Sequence, residues 1–367
     1  MRLGLDVRLT YYTHGGIAKY IRRLAEFLPQ IGPAHTHFHF YRRGHADLFA
    51  RSAQRVDCFT PAHHRLETWA LGAELFPHQL DLLHSPDFIP PRWGAKRFVI
   101  TVHDLAFLRY PQFLTAESRR YYNEQIQSAV SRAHAIAADS HATQVDLINL
   151  LNAPEEKITV IHLGLDEQFH PRPPEEVSAV LARHRLPRGF ILFVGTFEPR
   201  KNVPTLLKAY AALRAQWPEA PPLVLAGNRG WLFEEAQTLA RELKLHAHTY
   251  FMENFPSADL PATYCGAGVT VLPSYYEGFG FPVLEAMGSG TPVVMSNVSS
   301  LPEVGGEAVL SCDPTDEAAL TEALYRALTD SALRERLISS GLARAKTFTW
   351  EKTAQETLAL YERVMGK

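Results

Sequence analysis

Short apolar runs, each closed by glycine or a polar residue and followed by residues at helical spacing, recur along this chain. That alternation constrains its fold more than any other feature. Residues 2–8 read as a strand, the loop Gly15-Gly16 follows, and Ile17, Tyr20, Ile21, Leu24, Phe27 and Leu28 then repeat with a helical period. The second half opens the same way. Phe190-Ile191-Leu192-Phe193-Val194 reads as a fully buried strand stopping at Gly195, and a helix over about 205–215 begins just after Pro204. Further apolar runs lie at 98–102, 135–138, 223–226, 269–272 and 292–295. Strands alternating with helices predict βαβ units and parallel sheets, an α/β fold.

A length of 367 residues suits two domains or one large α/β domain, and 46% hydrophobic content supplies a sizeable core. The run His170-Pro171-Arg172-Pro173-Pro174 stiffens an extended link almost midway, which favours two. The expected division is 1–169, 170–347, and a final amphipathic helix within 348–367 that packs back towards the N-terminal domain. Two such lobes place a cleft between the carboxyl ends of both sheets, where ligands bind. Lys and Arg total 37 against 39 Asp and Glu, a formal net charge of −2, which gives no reason to expect nucleic acid. Three widely separated cysteines, Cys58, Cys265 and Cys312, fit neither a disulfide framework nor a zinc site. No leader-like or membrane-spanning run stands out, so a cytoplasmic protein is expected, with peripheral contact at the inner membrane face left open.

The most informative segment contains Ser274-Tyr275-Tyr276-Glu277-Gly278-Phe279-Gly280-Phe281-Pro282-Val283-Leu284-Glu285. The strand 269–272 feeds a glycine-punctuated loop and then a helix with Pro282 in its first turn. Gly278 and Gly280 let the backbone turn sharply and approach a ligand closely. The helix start directs free N–H groups at an anion such as a diphosphate. Glu277 lies in the loop and Glu285 about one turn into the helix; a carboxylate there accepts two hydrogen bonds, which suits a ribose diol. On spacing alone, a plain glycine-rich turn with one solvated and one helix-start glutamate is an equal reading. A glycosidase carboxylate pair is a third, but it leaves the glycine loop and the basic loop 198–202 without a role.

Two glutamates eight apart, with Glu277-Gly278-Phe279-Gly280 leading to Glu285, resemble the signature of retaining, nucleotide-sugar-dependent glycosyltransferases of family 4. The resemblance covers essentially the whole chain, because Gly15-Gly16-Ile17, His103-Asp104, 161–166 and 195–202 also fall at the family's usual places. It implies the GT-B fold, with two Rossmann-like domains facing across a central cleft: an N-terminal acceptor-binding domain and a C-terminal nucleotide-sugar-binding domain. It implies that Glu285 holds the ribose hydroxyls, while Glu277 and the backbone of Gly278, Phe279 and Gly280 receive the donor sugar and diphosphate. It further implies a hexosyltransferase that needs no metal or other cofactor, with the nucleotide sugar as co-substrate and a saccharide or lipid-linked acceptor as partner.

The remaining candidates follow from position. In Glu198-Pro199-Arg200-Lys201-Asn202, after the strand ending at Gly195-Thr196, Arg acts as a fork and Lys as a point charge on a departing diphosphate. That stabilises charge developing in the transition state; a solvated basic turn is the plain alternative. Arg200 and Lys201 match the family's diphosphate-binding pair. Gly16, with Gly15 beside it, offers backbone N–H groups to phosphate or to an acceptor hydroxyl. His103, at a strand's carboxyl end with Asp104 beside it, can hydrogen-bond a sugar hydroxyl or phosphate oxygen, and it matches the family histidine that contacts the donor sugar. His162 is expected to line the cleft. His35, His37 and His39 alternate on one strand face, and an exposed face is expected rather than a metal site. Lys19, Arg22 and Arg23, with other cations of the same half, give weak grounds for contact with anionic lipid.

The expected reaction moves a sugar from a nucleoside diphosphate to an acceptor hydroxyl. Retention and a front-face route, in which the leaving diphosphate receives the acceptor proton, are implied by the resemblance. The Glu-Pro-Arg-Lys-Asn form and the contexts of Asp6-Val7-Arg8 and His103-Asp104-Leu105 look most like bacterial mannosyltransferases that use GDP-mannose for surface polysaccharide. UDP-glucose and UDP-N-acetylglucosamine stay open as donors, as do a two-lobed nucleotide-sugar epimerase and a non-catalytic binding module.

Overall fold

The computed structural model describes the chain apart from residues 14, 65, 114, 115, 231 and 367, with 113 and 116–121 described by backbone alone. It forms two compact units, one of Met1–Gly164 with Phe348–Lys367 and one of Leu165–Thr347. The proline run therefore lies inside the second unit, where Pro174 opens the helix Pro174–Arg183 instead of forming a free link. Proline suits a helix's first turn because its missing N–H has no partner there anyway.

Unit 1 is built on a seven-stranded, all-parallel sheet. Its strands are β1 (Arg2–Asp6), β2 (Thr36–Arg42), β3 (Gln54–Cys58), β4 (Leu80–Ser85), β5 (Ala95–Val102), β6 (Ala135–Ala138) and β7 (Ile158–Val160), in the order β3-β2-β1-β4-β5-β6-β7. Helices cover both faces, so residues on both sides of a central strand are buried: Val99, Ile100 and Val102 of β5 are all covered. One core gathers Ile100, Val102, Ile126, Val130 and Leu147, and another Phe38, Phe40, Leu71, Leu75 and Leu83. The helix Trp350–Val364 packs against Gly16–Ile31 of the same unit. The Trp350 backbone passes so close to Gly164 that any Cβ there would clash.

The same burial corrects one expectation. His37 and His39 of β2 are buried, not exposed, because a strand inside a parallel sheet has no solvent face. His37 Nε2 bonds the Gly32 carbonyl at 2.9 Å, and burial pushes the His39 imidazole down to about 3, so it stays neutral.

Unit 2 carries a six-stranded, all-parallel sheet: β8 (Ile191–Val194), β9 (Leu223–Gly227), β10 (Thr249–Glu253), β11 (Val269–Leu272), β12 (Val293–Ser296) and β13 (Leu310–Cys312), in the order β10-β9-β8-β11-β12-β13. In each sheet the chain runs outward in one direction and then returns to build the other side. That reversal opens a crevice at the strands' carboxyl ends, between β1 and β4 in unit 1 and between β8 and β11 in unit 2.

Candidate active site

In unit 2, the loops after β8 and β11 meet at the switch point. After β8 the chain passes Gly195 and Thr196, makes a single turn at Pro199–Lys201, and reaches Asn202 in the left-handed region with φ 56°. Asn202 is buried, and its Nδ2 donates to the Pro273 and Pro314 carbonyls at 3.0 and 2.7 Å; these bonds hold the strained residue in place. The turn is thereby fastened to the β11 loop, and the Tyr275 N–H donates to the Arg200 carbonyl at 2.8 Å.

This clamp brings both cations onto one carboxylate. Lys201 Nζ donates to both Glu277 oxygens at 2.6 and 2.8 Å, and Arg200 Nη1 to Oε2 at 3.0 Å. Ser274 Oγ adds a bond to Oε1 at 2.7 Å, and the Glu277 N–H donates to Ser299 Oγ at 3.0 Å. Arg200 also reaches the half-exposed Glu198 at 2.9 Å, where water screens the pair. Burial alone would push the Glu277 acid up; Lys201 and Arg200 outweigh it and hold the group at about 2, firmly ionised. Lys201 and Glu277 are both buried, so the pair interacts in a medium that screens weakly.

Gly280 ends the loop at φ 115°, a conformation that favours glycine, and a Cβ there would come within 2.8 Å of Leu301 Cδ2. The helix Phe281–Gly288 begins immediately after, with Pro282 in its first turn. Gly278, Phe279 and Gly280 are buried ahead of it, and Ser300 Oγ donates to the carbonyls of Glu277 and Phe279 at 2.9 and 2.8 Å. That leaves the loop's shape fixed before any ligand arrives. Glu285 is buried on this helix and accepts from Tyr264 Oη at 3.1 Å.

Unit 1 holds the other candidates. His103 follows β5, with Nδ1 2.7 Å from Asp139 Oδ2 and Nε2 2.9 Å from the Pro86 carbonyl. Both nitrogens face acceptors, so the ring carries two protons. Burial opposes the cation, yet Asp139 and then Asp87 outweigh it and raise His103 to about 9. The neighbouring acid in sequence does something else: Asp104 Oδ1 accepts from the Ala106 N–H at 2.9 Å and closes a local turn. Gly15 and Gly16 are exposed at the start of Gly16–Ile31, with Gly15 the residue just before the helix. His162 is half-buried, with its ring between those of His141 and Phe348 at 6.0 and 5.9 Å. Among the described residues, no group of three or more His, Cys, Asp or Glu is placed to hold a metal ion, and no helix is long and apolar enough to cross a membrane.

Asp139, Ser274, Asn202 and Tyr264 did not emerge from the sequence. Asp139 closes a short buried run at the carboxyl end of β6, a signal in itself, but its pairing with His103 needs β5 and β6 to be neighbours.

Two all-parallel Rossmann-like units, each with polar loops at its switch point, are the architecture of the GT-B fold. Sucrose-phosphate synthase from Thermosynechococcus elongatus has the same fold, with a TM-score of 0.79 at 23% identity over 100% of this chain and 99% of that one. So does the Anabaena protein HepE solved with UDP and glucose, with a TM-score of 0.77 at 18% identity over 99% of both. Residues 14–169 match the family model for Glycosyltransferase Family 4, and residues 182–344 that for Glycosyl transferases group 1. The chain is 34% identical over 342 residues to O-antigen chain mannosyltransferase B of Escherichia coli, across 92% of this chain and 88% of that relative. It belongs to these glycosyltransferases.

Proposed function

We propose that this enzyme transfers mannose from GDP-mannose to an acceptor hydroxyl with retention of anomeric configuration, in the synthesis of bacterial surface polysaccharide or glycolipid. The observation that carries the reading is the convergence of Lys201 and Arg200 on Glu277 beside the glycine loop and helix start of unit 2. Two cations on one carboxylate can re-pair with a diphosphate, and charge-assisted bonds to its oxygens strengthen as the sugar–phosphate bond breaks. The helix start beyond Gly280 adds N–H groups on the same side of the loop. Glu285 accepts from the ribose hydroxyls. The similarity to an O-antigen chain mannosyltransferase supports mannose and the polysaccharide product.

In this reading the bond between the anomeric carbon and the diphosphate oxygen breaks while the acceptor oxygen approaches from the same face. The acceptor proton passes to an oxygen of the leaving diphosphate, so no side chain is needed as nucleophile. Arg200 and Lys201 hold the departing charge, and Glu277 positions both cations and receives donor hydroxyls; His103, an imidazolium held by Asp139, is available to a sugar hydroxyl or a phosphate oxygen. Lodging of the substrates in a site closed to water suppresses hydrolysis of the donor. The reaction as written asks for no metal or cofactor.

The test is incubation with GDP-mannose, UDP-glucose and UDP-N-acetylglucosamine, with and without a mannoside acceptor, following diphosphate release and the anomeric configuration of the product by NMR. Acceptor-dependent release of GDP and an α-mannoside product are expected. Preference for a UDP-sugar would remove the mannose assignment, and an inverted product would remove the front-face route. A changed sugar without acceptor would mark an epimerase, and no turnover a binding module.

A further inference from the structure

The helix Trp350–Val364 is the last element of the chain yet belongs to unit 1, and it touches the surroundings of that unit's candidate histidines at three places. At its start, the Trp350 ring lies 6.5 Å from that of Tyr20, which packs edge-on at 5.1 Å against the His103 imidazole. One turn on, Thr353 Oγ1 donates to the His162 carbonyl at 2.8 Å. Near its end, Tyr361 Oη lies 2.6 Å from His84 Nδ1.

That last contact begins a buried chain. His84 Nε2 lies 2.8 Å from Thr101 Oγ1, and Thr101 Oγ1 lies 2.8 Å from Tyr20 Oη. The four residues come from the last helix, β4, β5 and the helix Gly16–Ile31, and none is more than 2% exposed. Burial pushes His84 down to about 3 and the neighbouring His103 cation acts in the same direction, so His84 is neutral. A neutral imidazole donates at one nitrogen and accepts at the other, so the Tyr361 and Thr101 hydroxyls take opposite roles toward it. Aliphatic side chains would dock the helix without such a network, whereas every polar group buried here is costly unless its bonds are made. The chain ends at Tyr20, on the ring that Asp139 and the Pro86 carbonyl hold from two other directions.

We propose that Tyr361 is a positioning residue: through His84, Thr101 and Tyr20 it fixes the His103 ring between Asp139 and the Pro86 carbonyl, so that transfer depends on the last helix being docked. The effect on turnover rests on the transferase reading above; the effect on the ring does not. Without the Tyr361 hydroxyl, His84 Nδ1 is left unpaired in the core, and His84 and Tyr20 shift to relieve it. That shift loosens the 2.7 Å contact with Asp139 that keeps His103 protonated.

Histidine NMR of the full chain without substrates, run as a pH series, reads the ring directly, and diphosphate release from GDP-mannose at pH 7 reads turnover. The variants are Tyr361→Phe and Tyr20→Phe, which keep both rings and cut the chain at either end. Leu358→Ala, which thins the same helix beside Gly32, is the structural control. In wild type the His103 signal should titrate at about 9. In Tyr361→Phe and Tyr20→Phe its midpoint should fall by about half to one pH unit, and turnover by about three- to tenfold. Leu358→Ala should lower the melting temperature at least as much as Tyr361→Phe while leaving the His103 midpoint in place. An unmoved midpoint in Tyr361→Phe or, if that variant does not fold, in Tyr20→Phe overturns the proposal. So does an equal shift in Leu358→Ala, or a moved midpoint with unchanged turnover. If the midpoints move as expected while wild type turns over none of the nucleotide sugars, the transferase reading falls and the hold on His103 stands.

Discussion

The two switch points share a topology and have opposite electrostatics. In unit 2, two cations converge on one buried carboxylate, Glu277; in unit 1, two carboxylates converge on one buried cation, Arg8, and a third pairs with His63. A parallel sheet that reverses its strand order supplies the crevice in both. What each crevice can bind is set by the few side chains at the strand ends. The cationic one can pair with an anion, whereas the carboxylates of the acidic one accept hydrogen bonds and repel an anion.

The contrast also separates structural charge from catalytic charge. Arg8→Ala should have the largest effect, about 3–5 kcal/mol of lost stability in denaturant titration, because it leaves the buried Glu67 and the half-buried Asp6 without their counter-ion. A loss below about 1 kcal/mol would show that water reaches this cluster and that its burial matters little. Lys201→Ala should do the reverse. Arg200 and Ser274 still hold Glu277, so the fold survives, while kcat falls about 10²–10³-fold. Near-normal turnover would strike Lys201 from the machinery.

A pH series probes the His103–Asp139 pair. His103 is raised from 6.5 to about 9, so its contribution is complete below pH 6.5 and is lost as pH rises through 9. Over that window, wild type should lose stability on the order of 2–3 kcal/mol more than Asp139→Asn; parallel curves would mean that Asp139 does not hold the proton. Glu285→Gln gives the smallest expected effect, roughly a tenfold rise in donor KM with kcat less affected, because one charge-assisted bond is weakened without emptying the site. A change confined to kcat would argue that Glu285 acts on the reacting centre instead.

Much of this was legible from residue order. The strand–glycine–helix openings marked both Rossmann-like units, since a buried parallel strand needs an unbroken apolar run and the turn after it needs small residues. The basic pair, the glycine loop and the two glutamates stood out because each directly follows a buried strand. Other features were hidden. The partner of His103 is Asp139, not the adjacent Asp104, because neighbours along a chain often point apart while the ends of adjacent strands converge. His37 and His39 looked like an exposed face, since alternation on a strand reports a shared side but not whether a helix covers it.

The sequence by itself determined the local grammar: which segments are strands, where each stops, and which charged or glycine-rich loops hang from their carboxyl ends. Periodicity and composition act over a few residues, so these can be read without knowing the fold. Only the tertiary structure decided that Lys201 and Arg200 share Glu277, that Arg8 is locked between Asp6 and Glu67, and that His103 pairs with Asp139. Those facts depend on strand order, and strand order brings together residues as far apart as 201 and 277 through hydrogen bonds and packing that no local pattern encodes.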